Sequence, residues 1–157
     1  MTCDPQDVEP AEILGSARSG RWLVTCDHAS NAVPGWIGGS LGIDAADMTR
    51  HIAFDVGAAG LSRALAERLD SPSILSTFSR LVIDANRGED DPTLIMRLYD
   101  GTVVPANRTL TADDRARRLS LYHGYHTAYA RLAARRPDTV ICAIHSSTPV
   151  LRGRSPR

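Results

Sequence analysis

The sequence predicts an α/β domain built on a largely parallel sheet. Three observations carry that prediction. First, short apolar runs alternate with longer segments of helical period. Second, several of those runs end directly in polar residues, the position where α/β proteins place their chemistry. Third, 157 residues with a hydrophobic fraction of 43% and a charged fraction of 23% suit one compact globular domain.

The elements follow in order. Residues 1–20 form a polar lead-in punctuated by Pro5, Pro10, Gly15 and Gly20, with a short helical turn expected around Glu12. Trp22–Cys26 is an apolar run suited to a buried strand, and it leads into Asp27-His28-Ala29-Ser30-Asn31, Pro34 and a glycine-rich stretch. Residues 52–69 read as an amphipathic helix, with Ile52, Val56, Ala59, Leu61, Leu65 and Leu69 at mostly helical spacing and Ser71-Pro72 as the stop. Residues 73–77 read as a strand. Residues 81–83 read as another, ending in Asp84-Ala85-Asn86-Arg87. A polar stretch with Asp100-Gly101 and Pro105 comes next. Thr111 then caps a helix reaching Arg136, with Asp113 and Asp114 in its first turn and Pro137 beyond its end. Residues 139–144 are the last strand, delivering His145-Ser146-Ser147-Thr148. The domain is expected to span 21–150, with 151–157 a disordered tail. A parallel strand followed at once by a tail predicts a sheet that lacks its C-terminal strands. Its exposed edge would invite homo-oligomerisation.

Composition narrows the function. Lys+Arg and Asp+Glu both total 18, so the formal net charge is zero, against a nucleic-acid partner bound by counterion release. Every basic residue is Arg, which fits codon bias and excludes Schiff-base and P-loop lysine chemistry. No apolar run approaches the ~20 residues of a membrane span. The acidic N-terminus lacks a signal-peptide pattern, so the expected location is the cytoplasm. Cys3, Cys26 and Cys142 are odd in number and widely spaced, against a disulfide framework.

His28 and His145 each sit just past a predicted strand. In a parallel sheet both emerge at one edge, with Asn31 three residues after His28. Two imidazoles and an oxygen donor match a catalytic zinc site with an open position; two hydrogen-bonded histidines without metal are the plainer alternative. His51 and Asp55 stand at i and i+4 of a predicted helix, on one face. Arg80 and Arg87 flank the run 81–83 and suit a carboxylate-bearing substrate, although charge at strand ends is also ordinary. His123 and His126 lie at i and i+3 of the long helix. Tyr122, Tyr125 and Tyr129 form a stripe of core or interface character. Ser146 and Ser147 lack a G-x-S-x-G elbow, against a serine hydrolase.

Taken together, the ordered segments Cys26–Pro34, His51 with 53–58, Ser79–Asp84 with Asn86-Arg87, Asp100-Gly101 with Pro105 and Asn107, Tyr125-His126, and 144–149 are similar to those of the N-formylglutamate amidohydrolase family. The resemblance covers roughly residues 21–150. It implies a three-layer α/β/α fold like that of zinc-dependent exopeptidases and acyl-amino-acid deacylases. It implies hydrolysis of N-formyl-L-glutamate, a small acidic N-acyl amino acid, to formate and L-glutamate in histidine degradation. By position, it implies one divalent metal, zinc, held by His28 and His145, with Asn31 where related deacylases carry the Glu of H-x-x-E. Arg80, Asn86 and Arg87, accompanied by Ser79, would hold substrate carboxylates, and His126 would add a polar contact. Asp27 and Asp55 are the carboxylates expected in catalysis, since none of the four Glu lies in a matched segment; His51 accompanies them. Two other functions fit the residues: a non-catalytic remnant, and a small acidic-metabolite binding module with structural histidines.

Overall fold

The computed structural model describes residues 8–149. Six strands and two α-helices occur among them: β1 (Ala11–Leu14), β2 (Trp22–Cys26), α1 (Ala58–Arg68), β3 (Ser73–Ser76), β4 (Leu98–Tyr99), β5 (Thr102–Val103), α2 (Ala112–Ala133) and β6 (Val140–Ala143). The main sheet has the order β1-β3-β2-β6. β2 pairs in parallel with both β3 and β6, and β1 runs antiparallel to β3. No helix among the described residues is long and apolar enough to cross a membrane.

Alternation along the strands divides the core. Leu23 and Ile74 pack with Leu121, Tyr125 and Leu132 of α2. Cys26 and Leu75 pack instead with Ala58 at the start of α1. Because β2, β3 and β6 share a direction, their carboxyl ends open on one edge of the sheet. That edge receives Asp27 and His28 from β2 and His145 from β6.

The structure corrects four expectations. The segment around Glu12 is strand β1, paired through Glu12↔Leu75, and not a helical turn. The helix expected over 52–69 begins only at Ala58. Gly57 has φ 81°, a left-handed conformation that closes the helix at this point. Ahead of it, the Asp55 amide donates to the His28 carbonyl at 2.9 Å and holds 51–57 as turns against the β2 loop.

Residues 81–83 are fully buried but form no strand. Their carbonyls are met by side chains in place of a ladder: Asn107 Nδ2 donates to Leu81 O at 2.8 Å and Arg118 to Val82 O at 2.7 Å. The polar stretch around Asp100-Gly101 holds the unexpected hairpin β4–β5. Asp100 (φ 44°) and Gly101 (φ 86°) both take the positive angles of a two-residue hairpin turn. The expected cap of α2 is present as a reciprocal pair, in which the Asp114 amide donates to Thr111 Oγ1 and the Thr111 amide to Asp114 Oδ2. The tail 151–157 lies outside the described residues, as do residues 1–7 of the lead-in.

Candidate metal centre

His28 is the centre of the carboxyl-edge cluster. Its ring is buried, and Nε2 donates to Asp84 Oδ1 at 2.7 Å. Nδ1 faces Asp55 Oδ2 at 3.5 Å and makes no hydrogen bond. Asp55 Oδ2 also accepts from His145 Nδ1 at 2.9 Å and from the Ser146 amide at 3.3 Å. The two imidazole rings meet edge to face with centroids 5.4 Å apart. His28, Asp55 and His145 each offer a ligand atom, and those atoms all lie within 4.8 Å of one another.

Arginine 80 ties the carboxylates together. Its Nη2 lies 3.1 Å from Asp84 Oδ2 and its Nη1 3.5 Å from Asp55 Oδ1. Its guanidinium rests over the Tyr99 ring of the hairpin, 5.2 Å from the centroid. Behind His145 stands Asp27, which accepts from the buried Tyr125 hydroxyl at 2.6 Å.

Three buried carboxylates, Asp27, Asp55 and Asp84, therefore converge with one guanidinium. Burial alone would raise the Asp84 pKa, but the His28 hydrogen bond and charge and the Arg80 charge bring it down to about 2. Burial likewise opposes ionisation of Asp55, and His28, His145 and Arg80 overcome it, so its pKa lies below the ordinary carboxylate range. Burial disfavours a charged His28, yet the Asp55 carboxylate facing Nδ1 and the Asp84 carboxylate bonded to Nε2 outweigh that and raise its pKa.

This arrangement suits a divalent cation. The negative charge exceeds what Arg80 balances, His28 Nδ1 is buried without a hydrogen bond, and its other nitrogen is oriented by a carboxylate in the manner of metal-bound histidines. The proton now shared by His145 and Asp55 is one that a metal would replace.

The remaining expected residues are placed as follows. Asn31 Nδ2 donates to Met48 O at 2.9 Å, and Asp55 is the oxygen donor found beside the two histidines. His51 does not share a helical face with Asp55, because 51–57 is not helical; its Nε2 lies 3.2 Å from Asp100 and its ring meets Tyr99 edge-on. Ser79 is fully buried, with its hydroxyl donating to Ala53 O at 2.8 Å and accepting from the Leu81 amide, so it braces the turn. Asn86 and Arg87 are exposed, and Arg87 has ion-pair contacts only at 3.7 Å, with Asp84 and Asp91. His126 Nε2 donates to Ala85 O at 3.0 Å and its ring packs on Tyr122. His123 pairs with Glu89 on the surface.

Two contributors escaped the sequence reading. Asp84 and Tyr125 fell within the segments that carry the family resemblance, but neither was assigned a role there: Asp84 read as the polar end of an apolar run and Tyr125 as a member of an aromatic stripe. No local spacing announces that Tyr125 reaches Asp27, since 98 positions separate them.

A mostly parallel α/β sheet with a His-Asp-His cluster at its carboxyl edge defines a metal-compatible site. The family model for N-formylglutamate amidohydrolase matches residues 20–157, and the chain belongs to that family. Among solved structures, the gene product Atu2144 from Agrobacterium tumefaciens is similar, with a TM-score of 0.89 and 31% identity. The match covers 95% of this chain and 61% of that one, so the chain spans less than two thirds of its neighbour's length. Comparison with curated proteins returned no match.

Proposed function

We propose that the chain is a metal-dependent amide hydrolase acting on an N-acyl acidic amino acid, with N-formyl-L-glutamate as the substrate and a cytoplasmic histidine-degradation route as its setting. The observation that carries the reading is the convergence of His28, Asp55 and His145 at one sheet edge in a chain of this family. The packing of α1 and α2 against opposite faces of the sheet supports a three-layer arrangement around that edge.

His28, Asp55 and His145 would hold the metal, and zinc is the divalent ion that suits two imidazoles and a carboxylate. When bound, such an ion polarises an acyl carbonyl and lowers the pKa of its water toward ~7. Asp84 keeps His28 oriented. Arg80, engaged by Asp55 and Asp84 and only 11% exposed, holds those two carboxylates apart from solvent. Arg87, 40% exposed, is the accessible fork for the substrate carboxylate, with Asn86 beside it.

The test is zinc titration followed by formate release from N-formyl-L-glutamate. One zinc per chain is expected, lost in His28→Ala and His145→Ala. Arg87→Ala should raise KM roughly ten- to a hundredfold, the size of a charge-assisted contact. Formate release that survives both chelation and the histidine substitutions would overturn the reading. Zinc binding without formate release would leave a binding protein in place of an enzyme.

A further inference from the structure

The two histidines of the cluster are held in parallel ways. His28 presents Nδ1 to Asp55 and gives Nε2 to Asp84. His145 also presents Nδ1 to Asp55, at 2.9 Å, which leaves its Nε2 on the far side of the ring. The group facing that nitrogen is Asp27, whose Oδ2 lies 3.9 Å away. The other oxygen of Asp27, Oδ1, accepts from the Tyr125 hydroxyl at 2.6 Å. Tyr125 is fully buried in α2, and Asp27 is only 8% exposed.

We propose that Tyr125 and Asp27 are positioning residues for His145, forming a Tyr125–Asp27–His145 chain that matches the Asp84–His28 pair on the opposite side of the cluster. The inference rests on the metal reading above. A histidine that ligates through one ring nitrogen is commonly oriented by a carboxylate at the other, and loss of that partner weakens metal binding. Tyr125 fixes one carboxylate oxygen and so directs the second at the imidazole. The 3.9 Å separation is an ion-pair distance longer than a hydrogen bond, and a small turn of the ring closes it.

This assignment gives Asp27 a different part from that of a proton acceptor for attacking water. Both of its oxygens have a place: Oδ1 on Tyr125 and Oδ2 toward His145. It also explains why a tyrosine on α2 is buried with its polar end inward. A purely apolar packing role would be filled as well by phenylalanine, without a hydroxyl needing a partner.

The test compares wild type with Tyr125→Phe, Asp27→Asn and Tyr129→Phe. Tyr129 lies on the same helix with its ring centroid 6.1 Å from that of Tyr125, so it controls for loss of an aromatic hydroxyl nearby. Zinc affinity, measured by calorimetric titration of the purified chain, should fall about tenfold in Tyr125→Phe, ten- to a hundredfold in Asp27→Asn, and stay unchanged in Tyr129→Phe. The visible absorption of the cobalt(II)-loaded chain should shift in the first two variants and not in the third. A merely structural Tyr125 would lower the melting temperature and leave the cobalt bands in place.

Equal zinc affinity and identical cobalt spectra in wild type and a folded Tyr125→Phe would overturn the inference while sparing the metal site. A wild-type chain that binds no zinc would overturn both. If Asp27→Asn fails to fold, the near-isosteric Tyr125→Phe decides.

Discussion

At the scale of single residues, the His28–Asp84 pair makes the metal-free chain sensitive to pH from both sides. Asp84 titrates at about 2 in the fold against an ordinary 3.8. A depressed carboxyl stabilises the fold above its ordinary value, and that contribution is lost as pH falls toward 2. For a side chain buried this completely, the shift corresponds to on the order of 2 kcal/mol. His28 is raised above 6.5, so its contribution is complete below 6.5 and lost as pH rises through the raised value. The metal-free chain is therefore expected to be most stable between about pH 4 and 6.5. Urea midpoints measured across pH 2–8 should show that maximum, and Asp84→Asn should flatten the acid limb. An acid limb that Asp84→Asn leaves unchanged would place the sensitivity elsewhere. His28 and His145 were legible because strand ends in a parallel sheet converge. Asp55 was singled out for a helical pairing that does not exist and, by the family resemblance, as a catalytic carboxylate. It reaches the site because its amide is tied to the His28 carbonyl.

At the scale of elements, the loop 81–87 has an unusual anchorage. Asn107 donates to Leu81 O and to Met96 O, at 2.8 and 2.7 Å, and accepts from Arg118 at 2.7 Å. Asn107→Ala would leave two buried carbonyls and a buried guanidinium short of partners. A loss of about 3 kcal/mol is expected from those unmet groups. Thr111→Ala, which removes an exposed helix cap, should cost only about 1 kcal/mol. Urea denaturation of the two variants side by side checks the ranking, and equal losses would refute it. The same anchorage explains why residues 81–83 read as a strand: an apolar run looks alike whether a ladder or side chains satisfy its backbone. The helix over 52–69 was read too long because Ile52 and Val56 keep the helical period on the wrong side of Gly57. By contrast, the Asp100-Gly101 hairpin carried a legible signal, a dipeptide suited to two positive φ angles, which composition alone had filed with the loop.

At the scale of the molecule, three segments distant in sequence meet only when the sheet forms: 27–28 after β2, 55 before α1, and 145 after β6. A ligand bound by all three is bound by the folded state alone, so it stabilises the whole domain. Zinc at a hundredfold excess over its dissociation constant should add about 2.7 kcal/mol. For a chain of this length, that raises the melting temperature by roughly 5–10 °C, and a chelator should reverse it. Calorimetric scans with and without zinc measure the shift; an unchanged transition in His145→Ala and an unchanged one in wild type separate a specific site from none. The class of fold was legible at this scale because strand and helix periods alternate cleanly. The identity of the groups behind the histidines was not, since it depends on which distant side chain fills each side of a ring.

Arg80 has a consequence for how such a chain varies over generations. It touches both Asp55 and Asp84, and each of the three is buried or nearly so. Replacing the arginine strands two like charges; replacing either aspartate leaves a cation with half its company. Single substitutions at these positions are therefore all worse than the trio they start from, and worse than a matched double change. Substitutions at 55, 80 and 84 are therefore expected to be coupled, each setting the cost of the next for a lineage that changes them.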